Sequence, residues 1–114
     1  MKKLITLILL LPVLASAQLS GTYLVGTGQA SPFNSLPNAI ARINSVGVSG
    51  PVVFSLVSDL TVTEPLIINA YTGSSATNTL TIKPAATKTI TITANNANSY
   101  TGIPAVIKCN GASN

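Results

Sequence analysis

The sequence predicts an all-β chain built as a parallel solenoid, with one short helix near its start and a cleaved leader before it. Three observations predict it. Apolar strand-like runs recur at a nearly constant interval. The polar residues are mostly those that suit pleated surfaces and corners. The first segment carries the pattern of an export signal. Across the 114 residues 46% are hydrophobic and only 7% are charged, against roughly 25% charged in an ordinary soluble domain. The length allows one small domain.

Met1-Lys2-Lys3 is a short basic start, Leu4 to Leu14 an apolar run broken by Thr6 and Pro12, and Ala15-Ser16-Ala17 places small residues where a signal peptidase reads. Residues 1–17 therefore read as a secretory signal peptide. The run of eleven residues rises about 1.5 Å per residue, roughly half of a 30 Å hydrocarbon core, so a membrane anchor is the weaker reading. No membrane span is expected after cleavage, and the protein is expected to be secreted or held at the cell surface. The remaining chain, Gln18 to Asn114, keeps four cations (Arg42, Lys83, Lys88, Lys108) and two anions (Asp59, Glu64), a net charge of +2. Two scattered excess charges do not make a nucleic-acid footprint, which needs a clustered basic face.

After the leader there are thirteen Thr, eleven Ser and ten Asn. Thr fits a strand because its branched Cβ suits the pleat, and Asn and Ser serve corners by bonding nearby backbone. Residues 18–50 hold an N-terminal strand and a capping helix. Ser35 can cap that helix, Pro37 falls in its first turn, and Leu36, Ala39, Ile40 and Ile43 share one face; Gly47 stops it. Arg42 and Asn44 lie away from that face. So short a helix cannot stand alone and must cover something apolar.

Residues 51–114 carry the strand signals, beginning after Gly50-Pro51: Val52–Val57, Leu66–Asn69, Thr79–Lys83, Thr89–Thr93 and Ala105–Cys109, separated by turn-forming stretches such as Thr72-Gly73-Ser74-Ser75. With Phe54 and Leu56 inward, Leu80 and Ile82 follow 26 residues later, and Ala105 and Ile107 a further 25. Leu66 and Ile68 are followed by Ile90 and Ile92 after 24. Two interleaved strand classes with one period are what a coil of stacked rungs produces. The outward lines would then be Ser55, Thr81 and Val106, and Val57, Lys83 and Lys108. An immunoglobulin-like sandwich of antiparallel strands is the competing architecture.

Gly21-Thr22-Tyr23-Leu24-Val25-Gly26, Ser49-Gly50-Pro51-Val52-Val53-Phe54, the segment from Ile68 to Pro84, and Ala105 to Ala112, in that order, resemble the N-terminal cap and first coils of pectin-lyase-like bacterial surface proteins that use type IX secretion. The resemblance implies a right-handed parallel β-helix whose open N-terminal end the helix covers. It also implies a longer chain, so residues 51–114 are expected to be truncated coils, with either the chain's own continuation or a self-partner at the open edge. The expected role is a non-catalytic module for adhesion or polysaccharide contact; the alternative is the start of a pectin-lyase-like lyase or hydrolase whose active site lies beyond residue 114.

Chemistry within the chain is sparse. There is no His and a single Cys, which excludes a His-based triad, a His or multi-Cys metal site and an internal disulfide. Asp59 and Glu64 flank Thr61-Val62-Thr63 and could in principle act as a carboxylate pair, but they read better as solvated turn residues. Gly26-Thr27-Gly28 lacks the further glycine and helix start that hold a phosphate. Cys109 falls on the inward phase, as an inert thiol with no base beside it. No catalytic residue, cofactor or metal is implied. Tyr71 and Tyr100 are the candidates for contact with polysaccharide or cell-surface glycans, since both follow strands near turns and an aromatic ring can stack on a sugar.

Overall fold

This computed structural model describes residues 17–95 and 105–112. Most of the leader pattern (residues 1–16) and Tyr100 lie outside them. The chain opens with a β-α-β unit. Strand β1 (Leu19–Val25) runs into helix α1 (Leu36–Val46), which returns the chain to β2 (Val48–Leu56), parallel to β1. A parallel return needs a crossover of this kind. Ser35, in extended backbone, accepts the Asn38 N–H at 3.3 Å and starts the helix; Pro37 sits in the first turn. At the other end Gly47, at φ 72°, donates its N–H to the Ile43 carbonyl at 2.9 Å. Leu36, Ala39, Ile40, Ile43 and Val46 form the buried face, which packs on β1, β2 and β4.

Two tiers of strands follow. The first is β2, β3 (Leu60–Val62) and β4 (Leu66–Asn69); the second is β5 (Leu80–Pro84), β6 (Ile92–Ala94) and β7 (Ile107–Asn110). Each strand of the second tier pairs in parallel with its counterpart, giving sheets β1-β2-β5, β3-β6 and β4-β7. The core sits under the first tier, where Val25, Val52, Phe54, Ile43 and Leu36 are at most 2% exposed. Tyr23 stacks on Phe33 at 4.5 Å between centroids, and both meet Phe54 edge-on. Leu80, Ile82, Ile90 and Ile92 in the second tier are only partly covered.

Several expectations are corrected. The described residues are 13% helix and 41% strand, in short parallel sheets of two or three strands, so the class is mixed α and β rather than all-β, and the structure contains no established solenoid or full right-handed parallel β-helix. The antiparallel sandwich is not seen among the described residues either: all four strand pairings there are parallel, and Asn69 with Gly111 forms only an isolated antiparallel bridge. The single period fails because the corners differ in length. Val52 pairs with Leu80, 28 residues on; Leu60 with Ile92, 32 on; and Leu66 with Ile107, 41 on. The offset widens because more residues separate the second-tier strands: seven between β5 and β6 and twelve between β6 and β7, against three between β2 and β3 and three between β3 and β4.

The outward lines change accordingly. Ser55 is buried and in register with Lys83, Thr81 with Val53, and Lys108 with Ile67, so the two lysines are not neighbours on one line. Strand β2 begins before Gly50-Pro51 rather than after it. The register shifts by two residues between Leu19/Val48 and Gly21/Val52, and Pro51, which has no N–H to donate, occupies that irregularity. Strand β3, in the stretch between the two acids, was absent from the expected set.

Candidate functional site

Tyr71 follows β4 and is 8% exposed. It lines an open cavity of about 290 Å³ with Ile68, Leu80, Ile82, Cys109 and Ala112. Burial pushes its phenol above the usual tyrosine value; the Leu80 backbone pulls it down, and the nearby Cys109 adds a smaller upward push. Ile68 points inward from β4, and its register partner Cys109 extends the same line on β7. The thiol is nevertheless exposed, because β7 belongs to the less covered tier. Cys109 is therefore on the inward phase without being buried. Tyr71 turns toward the interior, and Tyr100, the other candidate for glycan contact, lies outside the described residues.

Asp59 is exposed in the connection between β2 and β3, as expected of a solvated turn residue, and it also makes a hydrogen bond. Its Oδ1 accepts the Thr91 N–H at 2.8 Å, tying the first-tier corner to the start of β6. It borders a shallow polar depression of about 250 Å³ with Ser58, Lys88 and Thr89. Glu64 lies in the bend between β3 and β4. Among the described residues no three of His, Cys, Asp and Glu come together as metal ligands. The glycine loop is committed to structure: Gly26 N–H donates to the Phe33 carbonyl at 2.9 Å and Thr27 N–H to Ser58 Oγ at 3.0 Å. Its amides are thus not arranged around an anion.

The most organised polar cluster is made of amides. Asn44 of α1 donates from Nδ2 to the Ile67 carbonyl at 2.9 Å and accepts the Asn69 N–H on Oδ1 at 3.0 Å. A carbonyl and the N–H two residues on point to the same edge of a strand. The Asn44 side chain therefore occupies one edge of β4 as a further strand would, while β7 takes the other. In register across β4 and β7, Asn110 Nδ2 donates to Asn69 Oδ1 at 3.1 Å. Asn44 was placed only as lying off the apolar face, and the Asn69–Asn110 pair was missed. A signal was present: the runs Leu66-Ile67-Ile68-Asn69 and Ile107-Lys108-Cys109-Asn110 both end in Asn.

Part of the exposed strand surface is neutral and polar, beside exposed Leu24, Ile67 and Ile107 and three lysines. Thr61 and Thr93 are register partners on one sheet, Asn69 and Asn110 on another, and Thr22 and Thr81 flank Val53 on the third; all six polar residues are exposed. The Thr61–Thr93 and Asn69–Asn110 pairs offer hydroxyl and amide donors and acceptors at the spacing of adjacent strands, about 4.8 Å. No family model, curated protein or solved structure matches the chain.

Proposed function

We propose that this chain is an exported, non-catalytic surface module that contacts polysaccharide or cell-surface glycan. The observation that carries the reading is the exposed, in-register polar pairs Thr61–Thr93 and Asn69–Asn110 on two sheets. Neutral hydroxyls and amides match a hydroxyl-rich polymer without a charge requirement. Each such bond nets only about 1 kcal/mol against water, so useful contact needs several at once, which a repeated line supplies. The leader pattern of residues 1–17 and the scarcity of charge support an extracytoplasmic setting. The resemblance to pectin-lyase-like surface proteins of type IX secretion supports the same setting, although no relative accompanies it.

The test is retention of the secreted chain on insoluble neutral polysaccharides and on anionic ones, over a range of salt. Retention by a neutral polymer that persists at high salt, and falls when Thr61 and Thr93 are both changed to Asp, is expected. Binding only to anionic polymers, lost with salt, would transfer the role to the lysines. Release of shortened or unsaturated sugar products would replace the adhesion reading with an enzymatic one.

A further inference from the structure

We infer that Asn110–Gly111 is a spontaneous deamidation site, and that the contact the reaction breaks is the amide bridge joining β7 to β4. This is the chain's single Asn-Gly sequence. Asn110 is the last residue of β7 and is exposed. Gly111 lies just beyond the strand at φ 72°, and a Cβ built on it would meet only Ala70, at 3.8 Å. With no Cβ on its Cα, Gly111 leaves its backbone nitrogen unhindered in approaching the neighbouring side-chain carbonyl, and glycine has the widest freedom to turn toward it.

In the reaction the Gly111 nitrogen, on losing its proton, attacks Cγ of Asn110. The N–Cγ bond forms and the Cγ–Nδ2 bond breaks. Nδ2 leaves as ammonia with the proton it gains, and a succinimide closes. Water then opens the ring at either carbonyl, giving aspartate or isoaspartate. The net change is amide plus water to acid plus ammonia, with no oxidant or reductant.

What holds the Asn110 amide is its 3.1 Å bond to Asn69 Oδ1, on a strand pair of four residues. Short edge pairs open locally at low cost, and each opening frees the amide. The product cannot remake the bridge in this polarity; a carboxylate at position 110 could be met only if the Asn69 amide turned over to donate from Nδ2. Aspartate has no N–H to donate, so against the present Asn69 orientation its carboxylate faces the side-chain oxygen, acceptor against acceptor, and the contact loosens until that amide reorients. Isoaspartate also inserts a backbone carbon and shifts the register after Cys109. The Ala70 N–H, which donates to the Asn110 carbonyl at 3.1 Å, reports on either outcome.

The experiment incubates the full chain at mildly alkaline pH and follows amide-to-acid conversion at each Asn by peptide mass spectrometry, with hydrogen exchange read at Ala70. Asn110 is expected to convert first, well ahead of Asn44, whose amide is held at both atoms. Gly111→Ala is expected to slow it several-fold, both folded and in denaturant, so a folding defect in that variant does not obscure the comparison. Asn110→Asp is expected to speed Ala70 exchange in unaged protein. Asn110 remaining intact while other Asn residues convert, or the same rate in Gly111→Ala, would overturn the site. Unchanged Ala70 exchange in Asn110→Asp would overturn its consequence.

Discussion

Gly73 shows how a single missing side chain fixes the packing of two segments. It sits at φ 84°, and a Cβ there would run into the Val48 carbonyl, while the Val48 N–H donates to the Thr72 carbonyl at 2.8 Å. The Thr72-Gly73 turn is thus wedged against the start of β2. Gly73→Ala combines a left-handed backbone, about 1–2 kcal/mol for an L-residue, with displacement of a backbone atom. We expect a loss of at least 2 kcal/mol in chemical denaturation; a change under half of that would mean the turn moves freely. Tyr71 gives a pH signature at the same scale. Its folded value is raised chiefly by burial, so its contribution to stability is complete below the unfolded value near 10 and is lost as pH climbs through the higher folded value. Wild type should lose stability above about pH 10 more steeply than Tyr71→Phe, as read by denaturation at a series of alkaline pH values.

At the scale of elements, α1 and β4 depend on each other. The helix is too short to persist alone, and its Asn44 amide closes an edge of β4 that would otherwise expose backbone to other chains. Asn44→Ala should cost about 1–2 kcal/mol for two bonds made at a wet surface and should raise the tendency to aggregate, measured by light scattering during refolding. Asn44→Ala behaving like wild type in both would make the contact incidental. Ser35→Ala should cost about 1 kcal/mol through loss of the cap, read from the same denaturation curves. The cap, the apolar stripe from Leu36 to Ile43 and the Gly47 stop were all legible, because each is local in sequence. Asn44 was not, because its partners are 23 and 25 residues away.

At the scale of the whole molecule, burial is uneven. Phe54 is fully buried while Ile107 is 36% exposed, although both lie on strands with alternating apolar residues. The first tier lies between α1, β1 and the second tier; the second tier has one tier beside it among the described residues. Phe54→Ala should therefore cost about 3–5 kcal/mol, whereas Ile107→Ala should cost under about 1.5 kcal/mol. Equal losses, measured by denaturation, would mean that β7 is far better covered than its exposure implies. The parallel registers are open to direct test as well: a Val52→Cys, Leu80→Cys pair should cross-link readily with a short reagent, and a Phe54→Cys, Leu80→Cys pair, matching the 26-residue spacing, should not.

By itself the sequence determined the helix and its ends, the presence of several short strands and the turn at Thr72-Gly73. All of these follow from neighbours in the chain or from composition. Only the tertiary structure decided which strand meets which. Pairing depends on the length of each corner, and corners of unequal length spread one apparent period into offsets of 28, 32 and 41. It also decided that Tyr71 turns inward, that Asp59 ties two tiers together and that three asparagines distant in sequence share two edges of one strand, because a polar side chain's role is set by whichever unpaired backbone or amide the fold brings within about 3 Å of it.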